Sequence, residues 1–223
     1  MKMTLGVATK CWENWMDCVF SWNHCATQKR KMYVVSNQTI LSAYEYILRH
    51  TNSDIIAYLH DDLMIYEPGW DTRVMLQFQD PKVGMVGFGG ALGHGVPHLY
   101  TAPYYLPNLA RQHFMSNMRS AETHGARFNG QCDVAVLDGF SLIVRRSILE
   151  KAGGWDQRAT YFMYAEWLSC EVRRQGYRIR LVGIDCEHLG GKSSTAGLTD
   201  NYEEAHRYFY EKNKDVMPYA VTG

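Results

Sequence analysis

The alternation of apolar runs and helical stripes predicts a single-domain α/β fold with a mainly parallel, Rossmann-like sheet flanked by helices. Three observations carry this. Short apolar runs alternate with amphipathic stretches through the first half, the signature of stacked βαβ units. The run DIIAYLH, Asp54 to His60, is apolar at successive positions and ends abruptly in two acids. At 223 residues the chain is long for one domain and short for two.

Element by element, Thr4 to Thr9 reads as the first strand, and Glu13 to Asn23 as a helix with Trp15, Val19 and Trp22 inward. Lys31 to Ser36 is the second strand, and Leu41 to His50 the second helix, with Leu41, Tyr44, Ile47 and Leu48 as its apolar stripe. Asp54 to His60 is the third strand. Pro68 and Gly69 open a helix through about Gln79, and Val83 to Gly87 is a further strand. The glycine run GFGGALGHG is followed by no helical pattern, so it reads as a flexible loop in preference to a phosphate-binding turn.

Residues 88–131 contain Pro97, Pro103 and Pro107 and no sustained period, which predicts one long loop. Its part from His94 to His124 is a candidate lid over an acceptor. Order resumes at Val134 to Arg145, and Arg146 to Ala152 is a short helix stopped by Gly153 and Gly154. Glu166 to Gln175 is helical, Tyr177 to Val182 is the last strand, and Thr199 and Asp200 can cap a helix reaching Asn213. The expected organisation is a domain over 1–198, then a C-terminal helix and loosely held tail over 199–223.

With 46% hydrophobic residues and 23 basic against 23 acidic, the composition argues against both disorder and a general affinity for polyanions. No apolar run approaches the roughly eighteen residues that a membrane-spanning helix needs, and Met1-Lys2-Met3 leads straight into a strand. The expectation is a cytoplasmic protein with no integral membrane association. The six cysteines form no C-x-x-C pair, and Cys11, Cys18 and Cys25 recur every seven residues, as reduced residues on one buried helix face do.

Chemistry concentrates at three places. His60-Asp61-Asp62 closes a buried strand at the carboxyl edge of the expected sheet, where α/β folds bind ligands. Two adjacent acids there meet a cation or repel each other, and Mg²⁺ or Mn²⁺ takes a few protein oxygens and completes its shell with phosphate. In VLDGFSLIVRRSILEKAGGWD, Val136 to Asp156, an acid and a glycine precede a buried strand, and the unit ends in a Gly-Gly-aromatic-Asp turn. In CEHLGGKSS, Cys186 to Ser194, a histidine is followed by small residues that leave its imidazole room to face a ligand.

Taken in order, VATK, VVSNQ, LSAYEYI, the strand ending in HDD with EPGW after it, VGMVGFGG, LDGFSLIVRRSILEKAGGWD, RRQGYRI and EHLGG resemble the family-2 glycosyltransferases of GT-A fold. The resemblance spans Thr4 to Ser194. It implies a metal-dependent, inverting enzyme that moves a sugar from a nucleotide sugar, a UDP-sugar favoured, to an acceptor hydroxyl. It implies that Ala8, Thr9 and Asn37 hold the nucleoside, that Asp61 lies near the ribose or sugar, and that Asp62 and His188 bind Mn²⁺ or Mg²⁺. Asp138 would face donor sugar and acceptor, and Trp155 and Asp156 the acceptor side. The family's acidic pair before the RRQGY helix is reduced here to Glu166, the leading candidate base, with Asp138 and Asp156 as rivals.

The acceptor expected is a saccharide or other hydroxyl compound. Arg173, Arg174, Arg178 and Arg180 with Lys29, Arg30 and Lys31 add duplex DNA carrying hydroxymethylated bases as a further acceptor class. The alternative reading is an inactive nucleotide-sugar-binding module of the same fold. A nucleotidyltransferase would need a glycine-rich loop after the first strand, and VATKCWENW has none.

Overall fold

A seven-stranded sheet lies at the centre of the computed structural model, which describes residues 1–9, 12–95, 114–119, 126–189, 199–217 and 219–221. In chain order the elements are β1 (Met3–Thr9), α1 (Trp12–Cys25), β2 (Lys31–Ser36), α2 (Ile40–His50), β3 (Ile55–Leu59), β4 (Leu63–Ile65), α3 (Trp70–Gln77) and β5 (Val83–Gly87). Then come β6 (Gly89–Ala91), β7 (Gly93–His94), β8 (Phe114–Ser116), β9 (Ala126–Arg127), β10 (Gln131–Val134), β11 (Val136–Leu137) and β12 (Ser141–Arg145). The last are α4 (Arg146–Ala152), α5 (Thr160–Arg174), β13 (Arg178–Val182), β14 (Cys186–His188), α6 (Thr199–Asn213) and β15 (Tyr219–Ala220).

The sheet order is β10-β13-β5-β12-β3-β1-β2. Strands β1, β2, β3, β5 and β13 run one way, while β12 and β10 run the other, so the sheet is mixed and mostly parallel. Because β2, β1 and β3 are parallel neighbours, their carboxyl ends open on one edge, bringing Thr9, Ser36 and Leu59 to the same rim.

Alternation along each strand divides the core between two faces. Ile56, Tyr58, Leu142 and Val144 point to the side covered by α2, α4, α5 and α6. Ile55, Ala57, Leu59 and Ile143 point to the side where Cys18 and Trp22 of α1 and Trp70 and Val74 of α3 pack. Trp22 also donates its indole N–H to the Leu63 carbonyl at 2.7 Å, so α1 is fastened to β4. No helix among the described residues is long and apolar enough to cross a membrane.

The glycine run departs from expectation. Gly89–Ala91 and Gly93–His94 are buried strands in place of a flexible loop. The physical reason is close backbone approach: a Cβ on Gly90 would lie 2.5 Å from the Val136 carbonyl oxygen, and one on Gly87 would lie 2.6 Å from that of Ser141. The expected long loop over 88–131 is therefore strand wherever β6 to β9 and the start of β10 occupy it. Residues 96–113 and 120–125, most of the expected lid, lie outside the described residues, as does Cys11.

Two further differences concern the second half. Helix α5 starts at Thr160, six residues before the expected start, because Met163 and Tyr164 belong to the same buried stripe as Trp167 and Leu168. The C-terminal segment is held: α6 buries Ala205, Phe209 and Asn213, and β15 pairs with β7. The four C-terminal arginines of the basic cluster are engaged internally. Arg174 pairs with Glu171 and Asp215, Arg178 with Asp80 and Asp133, Arg180 with Asp133, and Arg173 donates to the Ala135 carbonyl.

One ion pair ties the α1–β2 connection to α3. Asp71 is fully buried and accepts from Arg30 Nη2 at 2.6 Å, from the Thr27 backbone N–H at 2.8 Å and from the Thr27 hydroxyl at 2.9 Å. Burial opposes its charge, but the Thr27 and Arg30 donors outweigh burial and hold the carboxyl below the usual range. Asp71→Ala is expected to cost roughly 3–5 kcal/mol in urea unfolding, because it leaves the Arg30 cation buried without its partner. A carboxyl depressed in the folded state contributes stability above its unfolded pKa and loses it as pH falls through the folded one. The wild type should therefore lose this contribution below about pH 4, a loss that Asp71→Asn no longer shows.

Candidate metal centre and donor site

The chain turns sharply after β3. His60 N–H donates to the Phe140 carbonyl at 3.0 Å and Leu63 N–H to the His60 carbonyl at 3.2 Å, which places His60, Asp61 and Asp62 in a tight turn at the sheet rim. Strand β4 then pairs antiparallel with β14, and His188 stands opposite Leu63. This register sets Asp62 beside His188 across 126 residues of chain, and Leu189 N–H closes the pairing on the Asp62 carbonyl at 2.9 Å.

Three donor atoms converge there. His188 Nε2 is 3.1 Å from Asp62 Oδ1, His60 Nδ1 is 3.3 Å from His188 Nε2, and His60 Nδ1 is 3.8 Å from Asp62 Oδ1. Among the described residues this is a group of histidine and acid side chains able to hold a metal ion. Asp62 Oδ1 is buried and no hydrogen-bond donor is aimed at it, although His188 is at ion-pair distance. That is the geometry of atoms facing a shared centre. Ligands about 2.1 Å from one ion and roughly 90–110° apart stand ~3.0–3.5 Å from each other, a window that both separations to His188 Nε2 meet. The 3.8 Å between His60 Nδ1 and Asp62 Oδ1 corresponds to a wider angle of about 130°, so the residues present fit a divalent cation in an open geometry.

The electrostatics differ among the three donors. Burial, then the neighbouring His188, pushes His60 down to about 4 against the opposing pull of Asp62, so at neutral pH His60 offers an unprotonated nitrogen. Burial works against the charge of Asp62 as well, but the adjacent His188 and His60 outweigh it and lower its pKa. For His188 burial is outweighed by Asp62, then by Asp138 and Asp61, and its pKa is raised. Asp138 and Asp61 therefore lie close enough to act on the same imidazole.

A ring of support surrounds the three donors. His60 Nε2 is 2.6 Å from the Tyr164 hydroxyl, and His188 stacks on Phe140 with centroids 5.1 Å apart. A Cβ on Gly139 would come within 2.1 Å of that hydroxyl, so glycine at 139 leaves the space in which Tyr164 reaches His60. Neither Tyr164 nor His60 carried a role in the sequence reading beyond motif membership. The signal available was HDD itself, where an imidazole replaces the first acid of a D-x-D pattern.

The other expected residues divide into two groups. Ala8 and Thr9 end β1, paired with Val35 and Ser36, and Asn37 follows β2 with a positive φ of 60°, so these three line the same rim as His60. Asp138 follows β11 and accepts from the Phe140 N–H at 3.2 Å. Trp155 is 4% exposed, enclosed by Tyr58, Tyr44 and Trp167 at centroid distances of 5.1, 5.3 and 5.7 Å. Asp156 is held by Lys212 Nζ at 2.5 Å and the Tyr208 hydroxyl at 2.7 Å, both on α6. Glu166 is buried on α5, two residues beyond Tyr164.

Solved structures share this architecture at low identity. Protein A197 from STIV matches with a TM-score of 0.54 and 13% identity over 86% of this chain and 87% of that one. The mannosyltransferase PcManGT from Pyrobaculum calidifontis, solved with GDP-Man and Mn²⁺, matches with a TM-score of 0.58 and 13% identity, over 99% of this chain and 66% of its own. GalNAc-T7, solved with UDP, GalNAc and Mn²⁺, matches with a TM-score of 0.59 and 10% identity, over 97% of this chain and 52% of its own. The chain thus spans about two thirds and one half of the latter two, and the likeness establishes a GT-A fold. No curated protein matches the chain. Residues 23–213, most of the sequence, match the model of the Glycosyltransferase like family, and the chain belongs to that family.

Proposed function

We propose that the protein is a metal-dependent, inverting glycosyltransferase that moves a sugar from a nucleotide sugar to an acceptor hydroxyl. The observation that carries this is the convergence of Asp62 Oδ1 and His188 Nε2 at the rim where β1, β2 and β3 end. Ala8, Thr9 and Asn37 line that rim and hold the nucleoside, and Asp61 takes the ribose or sugar side. The donor is a nucleoside diphosphate sugar, with a UDP-sugar the first to test and a GDP-sugar the second. Asp62 and His188 would hold Mn²⁺ or Mg²⁺, which when bound supplies Lewis-acid neutralisation of the charge developing on the departing diphosphate.

Three carboxylates compete for the role of base. Lys212 and Tyr208 hold the Asp156 carboxylate and, against the effect of burial, lower its pKa, which works against its serving as a base. Asp138 acts on His188 and faces the donor sugar in this reading. Glu166 is kept as the base that takes the acceptor proton while the hydroxyl attacks the anomeric carbon from the face opposite the leaving group. The acceptor is a saccharide or other hydroxyl compound in preference to duplex DNA, since the arginines that suggested phosphate contacts are paired internally.

Hydrolysis and transfer of UDP- and GDP-sugars with Mn²⁺ test the proposal. Asp62→Ala and His188→Ala are each expected to lower turnover roughly 10³-fold, the several kcal/mol that metal-assisted charge stabilisation supplies. Turnover of no donor by the wild type, with nucleotide binding unchanged in Asp62→Ala, would instead identify an inactive nucleotide-sugar-binding module. Glu166→Gln should lower kcat by about 10²–10⁴-fold with little change in KM. Asp156→Asn should lower thermal stability while the folded protein retains activity, and the reverse pattern would exchange the roles of the two acids.

A further inference from the structure

We infer that His60 is a third ligand of the same centre. This rests on the metal-dependent reading above and adds a nitrogen donor to it. Its starting point is the donor set. His60 Nδ1, Asp62 Oδ1 and His188 Nε2 all lie within 4.8 Å of one another, two imidazoles to one carboxylate. Magnesium takes oxygen ligands and holds its waters, so sites built for it offer carboxylates and phosphate. Imidazole nitrogen favours the later divalent ions, and two histidines with one carboxylate on one face leave positions open for a substrate's oxygens.

His60 also carries the mark of a positioned ligand. Ligating histidines pass their second ring N–H to an outer acceptor that fixes the tautomer and the ring plane. Here Nε2 is 2.6 Å from the Tyr164 hydroxyl, which leaves the Nδ1 lone pair facing Asp62 and His188. Tyr164 is itself 4% exposed and braced by Tyr44 and Trp155 at centroid distances of 6.0 and 6.4 Å, with Gly139 giving its hydroxyl room. A histidine that only bridged Tyr164 and His188 through its two nitrogens would not need Nδ1 also within 3.8 Å of the buried Asp62 Oδ1. Tyr164 is on this account a positioning residue.

The test uses the full chain and the metal ions alone. In calorimetric titrations Mn²⁺ and Co²⁺ should each bind one equivalent at least about 100-fold more tightly than Mg²⁺. Pulsed EPR of the Mn²⁺-loaded protein should show two imidazole nitrogens. His60→Asp should remove one nitrogen coupling and reduce the preference for Mn²⁺ over Mg²⁺ at least about tenfold. Tyr164→Phe should keep both couplings and weaken Mn²⁺ about tenfold, and unchanged affinity there would overturn its positioning role. A single nitrogen in the wild type, an unchanged ion preference in His60→Asp, or binding of none of the three ions overturns the inference. The nitrogen count in the wild type does not depend on any variant folding. Sugar transfer with a single nitrogen leaves the transferase reading standing while this one falls, and two nitrogens without turnover of any donor does the reverse.

Discussion

The short antiparallel pairing of β4 with β14 is the constraint on which the site depends. Neither strand exceeds three residues, and alone neither would persist. They hold because Leu63, Ile65 and Cys186 are fully buried and because Trp22 of α1 donates into the Leu63 carbonyl. The register is what matters chemically. Side chains alternate faces along a strand, so a slip of one residue would turn His188 away from Asp62 and leave the carboxylate without its imidazole neighbour. The core on the α1 and α3 side of the sheet therefore serves the site by fixing one register.

The opposite face of the sheet reaches the same centre by another route. Tyr44, Tyr58, Trp155, Tyr164 and Trp167 form one aromatic cluster beneath α2 and α5. Glu45 of α2 accepts from the Trp155 N–H at 2.8 Å, and Gly154, at a φ of 103°, allows that approach, since a Cβ there would lie 2.7 Å from the carboxylate. Tyr164 is the member of the cluster that extends to His60. The GGWD turn is thus connected to the imidazole through packed rings. This gives Trp155 a physical task in its enclosed position: its ring faces are occupied by neighbours, and it braces the tyrosine that orients His60.

Much of the fold was legible because each element announced itself through period and punctuation. Lys31–Ser36, Val83–Gly87 and Arg146–Ala152 coincide with their expected limits, and IIAYL is buried at every position, as a strand between two helix layers requires. The glycine run misled because composition alone does not distinguish a glycine needed for freedom from one needed for closeness. Gly87 and Gly90 are of the second kind, pressed against carbonyl oxygens that come from residues about fifty positions away. The pairing of Asp62 with His188 was legible only through the family pattern, since nothing local to either residue fixes the register of β4 on β14. His60 went unassigned for a related reason: an imidazole beside two acids gains meaning only once Tyr164, 104 residues later, is seen on its far nitrogen.

The make-up of the centre also bears on its charge. Asp62 contributes one negative charge and His60 none, its protonation being suppressed by burial. A second carboxylate in place of His60 would cancel a further unit of a divalent ion's charge, leaving less to meet a diphosphate. With imidazole there, more of a bound divalent ion's charge would stay directed outward, in a buried setting where it is weakly screened. The remaining acids, Asp61 and Asp138, sit near enough to raise the pKa of His188 without being among the three converging donors. They add negative potential around the centre. A single replacement at the head of the acidic motif thus leaves one carboxylate and two imidazoles converging where a D-x-D pattern would bring a second acid.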